Sequence, residues 1–297
     1  MYMTGFADEA GADLSVQIKA TKELGWSNIE TRKLGDKNLA TISDQEFEEL
    51  QATLDENGVK FNCYGSAIAN WAKPIIEPPE SSYEEFAAAI PRMQKLGTKM
   101  VRVMSFAVPD ELKPKSWDYL DEVVKRCKVI AKMAEDAGLL CVHENCMNWG
   151  GLSYEHTMKL IEEVNSPAFK LVFDTGNPVF NLDWSSKGQG KVYQSAWEFY
   201  DNVRDHVAYI HIKDGYMPED SDKHVFTHAG EGQGDVRKIL TDMFKNGYDG
   251  GISIEPHLAV VFHDTSGDVS DADIKYANYV EYGRRLEKMI AEIKNAG

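Results

Sequence analysis

Cysteine is scarce in this sequence, and long apolar runs are missing. The chain has four cysteines, none in a CxxC spacing: Cys63, Cys127, Cys141 and Cys146. The opening MYMTGFADEA has neither the basic start nor the apolar stretch of a secretory signal, and no apolar run reaches membrane-spanning length. We therefore expect reduced thiols in a cytoplasmic protein without a membrane partner. Cys141 and Cys146 flank the VHEN motif, so a soft-metal pair is the alternative to buried structural thiols.

Basic residues are also in deficit. The 297 residues include 32 Lys and Arg against 48 Asp and Glu, which gives a formal net charge of -16. Such a surface repels nucleic-acid backbones and anionic membranes, so we exclude both as partners, while a local basic cleft for one small phosphate stays open. A Gly-rich phosphate loop after the first strand is missing too, which argues against a dinucleotide-binding fold.

What the sequence does contain is a regular alternation of short strands and amphipathic helices. The strand patterns are YMTGFADE, SNIETR, VKFNCYGS, KMVRVMSF, LLCVHEN, FKLVFDTGN, HVAYIHIKDG and GGISIEPH. Helix patterns such as SDQEFEELQATLDENG and KVYQSAWEFYDNVRD separate them, and a last one runs from about Asp271 to Ile293.

Strands that alternate with helices run parallel with right-handed crossovers. Eight such units predict an α/β fold of the (β/α)8 TIM barrel type, as a single domain over residues 1–297. An open, doubly wound sheet is the alternative. The polar, Gly-rich stretch Gly215–Gly234 is expected to be a long loop within the barrel.

Four of the predicted strands end on polar side chains: Glu144, Asp174, His211 and Glu255. Active sites of such barrels lie where strands end, and three carboxylates buried together need a cation among them. Taken singly, each residue is better explained as a helix cap or a partner of a lysine. Together, at the same position on consecutive strands, they predict a divalent metal site. Oxygen ligands with one nitrogen suit Mn²⁺ best and also admit Mg²⁺, Co²⁺ or Zn²⁺.

The two glutamates are the candidates for catalysis. A metal that binds a carbonyl and its neighbouring hydroxyl acidifies the C–H between them, so Glu144 or Glu255 can remove that proton. Return of the proton to the other face gives an epimer, and return to the adjacent carbon gives an isomer. Loss of a leaving group gives a dehydration or lyase reaction instead.

Further residues near the strand ends are candidates for substrate binding. Lys213 shares the side of His211 and either holds a substrate oxygen or forms a salt bridge with Asp214 or another acid. Glu30, at the end of the second strand, either orients the ligands or binds a hydroxyl. Trp149 follows the fifth strand and offers an apolar face to a sugar, with core packing as the alternative.

Two histidines have similar alternatives. His143 precedes Glu144, so strand alternation points it toward the helices, and a packed imidazole is favoured over a base. His228 lies in the loop THAGEGQGD, where it either touches the substrate or faces solvent. His257, just after Glu255, is open to the same two interpretations.

The order of VHEN, FDTGN, IHIKD and SIEP resembles the xylose isomerase-like TIM barrels. That family includes sugar isomerases and epimerases, inosose dehydratases and, at its edge, endonuclease IV. The resemblance extends from GFADEAGADL to SIEP and implies that the four strand-end residues are metal ligands and that both glutamates exchange protons with a sugar. The ketose epimerases carry a His three residues after the Asp, where this chain has Asn177. We assign Asn177 to substrate binding.

The resemblance implies a metal-dependent isomerase or epimerase that acts on a keto-sugar or related polyol next to a metal-bound carbonyl. The alternative is a metal-dependent lyase, deglycosidase or dehydratase acting on a 3-keto sugar or keto-polyol, because HENCMNWGG and DTGNP are similar to family members of that kind. A repair nuclease would need more histidines and a basic surface, and a sugar-binding protein without turnover would not need four metal positions. The expected partner is a small-molecule sugar, and a homo-oligomer remains an open alternative.

Overall fold

The structure is a computed structural model that describes residues 1–221, 223–258 and 271–296. Strands and α-helices alternate along these residues. The strands are β1 (Tyr2–Gly5), β2 (Asn28–Thr31), β3 (Lys60–Gly65), β4 (Met100–Val103), β5 (Leu140–Glu144), β6 (Phe169–Asp174), β7 (Val207–Ile212), β8 (Asp214–Tyr216), β9 (Val225–Thr227) and β10 (Gly251–Ile254). The α-helices are α1 (Leu14–Glu23), α2 (Asp44–Asn57), α3 (Glu80–Leu96), α4 (Leu120–Ala137), α5 (Tyr154–Val164), α6 (Asn177–Phe180), α7 (Ala196–Val203), α8 (Val236–Lys245) and α9 (Asp271–Ala296).

Eight of these strands close into a barrel. Their order is β1-β10-β7-β6-β5-β4-β3-β2, and every neighbouring pair is parallel. A further parallel bridge between Phe6 and Glu30 joins the two ends of this order, β1 and β2. An open, doubly wound sheet would leave two unpaired edges instead. The structure therefore confirms the predicted (β/α)8 TIM barrel.

The helix boundaries follow from residues that the sequence shows directly. Ser43 caps the N-terminus of α2 in a reciprocal capping box with Glu46. Phe47 and Leu50 lie on the same face of the helix, and both are buried in the core. The helix ends at Gly58, whose φ of 64° is the left-handed conformation that glycine adopts without strain. The chain can then turn at once into β3.

Alternation along the strands decides which side chains enter the barrel. Val142, Val172 and Tyr209 form a small buried cluster with Cys63, separate from the larger core. Since alternate residues of a strand share a face, the residues two positions further on lie on the same inner side. Those residues are Glu144, Asp174 and His211. The strand register thus carries three polar side chains to the carboxyl end of the barrel interior.

Two predicted segments differ from the structure. The helix expected over residues 191–205 is α7, which begins after Ser195 because the Ser195 side chain accepts a hydrogen bond from the backbone N–H of Glu198. The expected loop Gly215–Gly234 contains most of an antiparallel hairpin, since Asp214–Tyr216 pairs with Val225–Thr227. This hairpin stands at the barrel mouth after β7.

The helices of the described ranges include none that is long and apolar enough to cross a membrane. The assignment of all residues 1–297 to one domain stays a prediction, and Gly297 lies outside the described residues.

Candidate functional site

Four polar side chains meet at the carboxyl end of the barrel. Glu144 and Asp174 end β5 and β6, His211 is the fifth residue of β7, and Glu255 directly follows β10. Each offers one ligand atom, and these four atoms all lie within 4.8 Å of one another. All four residues are buried. The structure therefore brings together the set that the sequence grouped, whereas their role as metal ligands stays a prediction.

The donor atoms of this cluster fit a divalent cation. His211 Nδ1 is buried and has no hydrogen-bond partner, whereas Glu144 Oε2 and Asp174 Oδ2 lack hydrogen bonds but lie in ion pairs with Arg102 and Lys213. His211 Nδ1 lies 3.8 Å from Glu144 Oε1, a separation that two ligands of one metal ion can have. Buried polar atoms are normally satisfied, so an imidazole nitrogen without a hydrogen bond, within 4.8 Å of three carboxylate oxygens, fits a cation-binding site. The cluster could bind a metal, and its donor types do not specify which ion.

Glu30 holds His211 from below. Its carboxylate lies 3.0 Å from His211 Nε2 and accepts hydrogen bonds from the hydroxyls of Tyr209 and Ser253 at 2.8 and 2.7 Å. Glu30 is completely buried in the barrel interior. This is the arrangement that an orienting role requires, because it leaves the other imidazole nitrogen directed toward Glu144.

Three basic side chains surround the carboxylates. Arg102 Nη1 lies 3.2 Å from Glu144 Oε2, and Arg32 Nη1 donates to Glu255 Oε1 at 2.9 Å. Lys213 Nζ lies 2.9 Å from Glu255 Oε2 and 3.1 Å from the carboxylate of Asp174. From the sequence, Lys213 was expected either to hold a substrate oxygen or to form a salt bridge with Asp214 or another acid. The structure shows salt bridges, and they are with Asp174 and Glu255.

These neighbours set the protonation states of the cluster in the absence of a metal. Burial opposes the ionisation of Glu144, yet Arg102 and His211 lower its pKa to about 2. Burial also opposes the charged form of Glu255, but Lys213 and further cations hold its pKa well below the usual range. Burial raises the pKa of Asp174 to about 6, although Lys213 acts in the opposite direction. Both glutamates are therefore carboxylates at neutral pH.

An open cavity of about 590 Å³ lies above the cluster. Its floor includes Glu144, Glu255 and Lys213, and its lining also includes Asn177, whose amide donates to Glu144 Oε1 at 3.0 Å. A ligand of small-molecule size can therefore reach both glutamates from solvent.

Other candidates from the sequence lie away from this cavity. His143 is buried on the helix side of β5, where Nε2 contacts Ser105 Oγ at 3.0 Å. Trp149 lies in the core and donates to the carbonyl of Ser116 at 2.7 Å. The turn that contains Trp149 is tight, since a Cβ on Gly151 would lie 1.7 Å from Cys146 O. The indole of Trp149 is therefore buried in the core and does not line the cavity.

The other two candidate histidines differ in whether they line the cavity. His228 is half-buried beside the ring of Tyr282 on α9, at 5.7 Å between ring centroids. His257 lines the cavity, and its Nδ1 lies 2.8 Å from Glu9 Oε1. Among the cysteines, Cys141 is buried and Cys146 borders the cavity without a second thiol beside it in the described residues. A soft-metal pair is therefore not what this geometry favours.

Sequence reasoning missed the two arginines of the site. Arg102 interrupts the apolar run of β4, and Arg32 follows Glu30 by two positions. A charge inside an apolar strand pattern was the available signal for Arg102, because such a residue needs a buried partner.

Proteins of known activity or structure resemble this chain. A 2-epi-5-epi-valiolone 7-phosphate 2-epimerase from Actinoplanes sp. is 28% identical over 201 residues, which are 65% of this chain and 63% of that protein. The match thus spans less than two thirds of the length of that relative. A D-tagatose 3-epimerase-like protein has a similar structure, with a TM-score of 0.71 and 18% identity over 100% of this chain and 99% of the other.

A xylose isomerase-like TIM barrel protein from Mycobacterium smegmatis, crystallised in complex with magnesium, has a TM-score of 0.66 and 18% identity over 98% of this chain and 97% of the other. At such identities the structural likeness establishes the fold. The sequence itself goes further, because residues 18–276 match the xylose isomerase-like TIM barrel family, well over half of the chain. The protein belongs to the xylose isomerase-like TIM barrel family.

Proposed function

We propose that this protein is a divalent-metal-dependent isomerase or epimerase that acts on a keto-sugar or a related polyol. The observation that carries the proposal is the convergence of Glu144, Asp174, His211 and Glu255 at the floor of an open cavity. Family membership supports the same reaction class, as do a relative named as an epimerase and a structural neighbour named as epimerase-like. The substrate would be a small molecule.

The four clustered side chains would hold the metal. We propose Mn²⁺ first, with Mg²⁺, Co²⁺ and Zn²⁺ as alternatives, because three carboxylates and one imidazole accept all four ions. When bound, a divalent cation polarises a carbonyl as a Lewis acid, which acidifies the neighbouring C–H. The Mycobacterium smegmatis protein was crystallised in complex with magnesium, which is one of these four ions.

Glu144 and Glu255 would carry the protons. Both carboxylates are ionised at neutral pH and face the cavity, so either can accept a proton from the carbon beside a substrate carbonyl. Asn177 orients Glu144, and Arg32 orients Glu255. Delivery of a proton to the opposite face of that carbon would complete an epimerisation, and delivery to the adjacent carbon would complete an isomerisation.

The apolar side of the cavity favours a second candidate, a metal-dependent lyase, deglycosidase or dehydratase acting on a 3-keto sugar or keto-polyol. Trp71 and Met147 line the cavity and expose 58% and 53% of their surface. Phe180 stacks on His224 at 4.5 Å between ring centroids. These faces would suit a substituent attached to the sugar, which a lyase or deglycosidase would expel.

We also propose a cytoplasmic location. The four thiols are unpaired, and three of them are buried, as suits a reducing compartment. A homo-oligomer remains a hypothesis.

Solvent-deuterium exchange tests the proposal. The metal-free protein is loaded with each of the four ions and incubated in D₂O with keto-sugars and 3-keto glycosides. An isomerase or epimerase incorporates deuterium at the carbon beside the carbonyl and forms a stereoisomer or positional isomer, whereas a lyase releases a leaving group. Absence of exchange and of product with every ion and substrate class would contradict the proposal.

A further inference from the structure

Lys213 contacts two of the four side chains proposed to hold the metal. Its Nζ lies 2.9 Å from Glu255 Oε2 and 3.1 Å from Asp174 Oδ2, and the side chain is 6% exposed. Asp214, its neighbour in sequence, is engaged elsewhere, because its carboxylate accepts hydrogen bonds from the backbone N–H groups of Gly215, Gly230, Gly232 and Gly234. The ammonium group is therefore committed to the carboxylate cluster.

The two arginines of the site differ from Lys213 in this respect. Arg102 also donates to the carbonyl of Ser66 at 2.9 Å, and Arg32 also donates to Asp8 at 2.9 Å. Each arginine is thus anchored outside the cluster. Within the described residues, the ion pairs of Lys213 Nζ are both with cluster carboxylates.

The backbone of Lys213 is held by hydrogen bonds that do not involve its head group. Thr175 Oγ1 donates to the carbonyl of Lys213 at 2.6 Å and accepts from its N–H at 3.2 Å. Gly176 leaves space for the stem, since a Cβ there would lie 2.7 Å from Lys213 Cγ. A flexible four-carbon stem on a fixed backbone allows the ammonium to change partners without moving the strand.

We infer that Lys213 is an internal counter-ion, which neutralises Asp174 and Glu255 until a divalent metal binds and then withdraws into the cavity. The inference rests on the proposed metal site. Two cations compete for the same oxygens, because a metal ligand must give up its ion pair and a retained ammonium would repel the metal at this distance. Since Lys213 lines the cavity, the released ammonium meets the substrate. Metal loading would therefore prepare a binding group for a substrate oxygen.

The test compares the metal-free wild type with Lys213→Met, which keeps the length of the side chain and removes its charge. Lys33→Met is the matched control, because Lys33 is an exposed lysine at the rim of the same cavity. Mn²⁺ affinity is measured by calorimetry, and thermal unfolding is followed with and without Mn²⁺. We expect Lys213→Met to bind Mn²⁺ at least about tenfold more tightly and to unfold at a lower temperature when metal-free. Lys33→Met should match the wild type in both.

A second measurement covers the case in which metal-free Lys213→Met does not fold. The variant is then purified with Mn²⁺ and challenged with a chelator, and its Mn²⁺ should dissociate more slowly than that of the wild type. Unchanged or weaker Mn²⁺ binding in a folded Lys213→Met protein would overturn this inference and leave the proposed function standing. Failure of the wild type to bind any divalent ion would overturn both.

Discussion

His211 Nε2 lies 3.0 Å from Glu30 Oε2, and both side chains are completely buried inside the barrel. Burial opposes the charged form of His211, but Glu30 and Glu144 raise the pKa of the imidazole to about 10. The pair fixes the plane of the ring and leaves Nδ1 as the atom that faces the other proposed ligands. A buried carboxylate on β2 therefore orients the imidazole that we propose as a metal ligand.

Glu30→Gln should weaken metal binding without removing a proposed ligand. A neutral amide holds the imidazole less firmly than a carboxylate does, and loss of such a partner typically costs about 10- to 100-fold in metal affinity. Mn²⁺ titration of the purified variant measures the effect. Tyr209→Phe is the control, because it removes one hydrogen bond to Glu30 and keeps its charge, so its loss should be smaller. Equal affinity in Glu30→Gln and the wild type would contradict the orienting role.

Glu144→Gln should remove metal from the purified protein. The substitution keeps the shape of the side chain but replaces one ligand oxygen with a nitrogen that carries two protons and cannot bind a cation. Metal analysis of wild type, Glu144→Gln and the exposed control Glu162→Gln is the measurement. If the wild type and Glu144→Gln contain the same negligible amount of every divalent ion, the proposed site is wrong.

Much of this site was predictable because strand register and the interior face are both visible in sequence. VHEN, LVFDTGN and YIHIKD each place a polar residue two positions after an inward-facing Val or Tyr, and the structure shows these polar residues together. Glycine at Gly58 and a cap at Ser43 marked the ends of α2 in the same direct way. Local rules suffice where position along a strand or helix decides the outcome.

The sequence pattern could not predict the contacts of long side chains or of side chains on loops. Arg32 and Lys213 reach Glu255 through flexible stems from two different strand ends, so their contacts depend on the closed barrel. Trp149 lies in the loop after β5, yet the tight turn at Gly151 accompanies its burial in the core. Such turns depend on backbone contacts between residues that the sequence pattern does not pair.

Acid should destabilise the protein through a histidine remote from the cavity. His156 is buried between Ser116 and Ser153, and burial lowers its pKa to about 3. The unfolded chain has a histidine pKa of about 6.5, so below that pH the unfolded state binds a proton that the folded state does not. The stabilising contribution is complete above about pH 6.5 and is lost as the pH falls toward 3.

The free energy of unfolding, measured in urea from pH 7 to pH 4, should therefore contain a slope of up to about 1.4 kcal/mol per pH unit from this one group. His156→Gln should reduce that slope relative to the wild type. Parallel pH profiles for the wild type and His156→Gln would show that the imidazole does not contribute.

Glu255→Gln should reduce the rate far more than it reduces substrate affinity. Glu255 faces the cavity, and in the metal-free protein Arg32 and Lys213 hold its pKa well below the usual range and pair with its two oxygens. A glutamine keeps these dimensions but cannot accept a proton, and loss of general acid–base catalysis costs about 10²- to 10⁴-fold in rate. Deuterium incorporation from solvent into a keto-sugar is measured for the wild type and the variant, each at saturating metal, with metal content checked in both samples.

Because Glu255 is also a proposed ligand, a variant that retains its metal and loses exchange identifies the proton-carrying role separately from the binding role. Undiminished exchange in a metal-loaded Glu255→Gln protein would remove Glu255 from the proton path and leave Glu144 as the base.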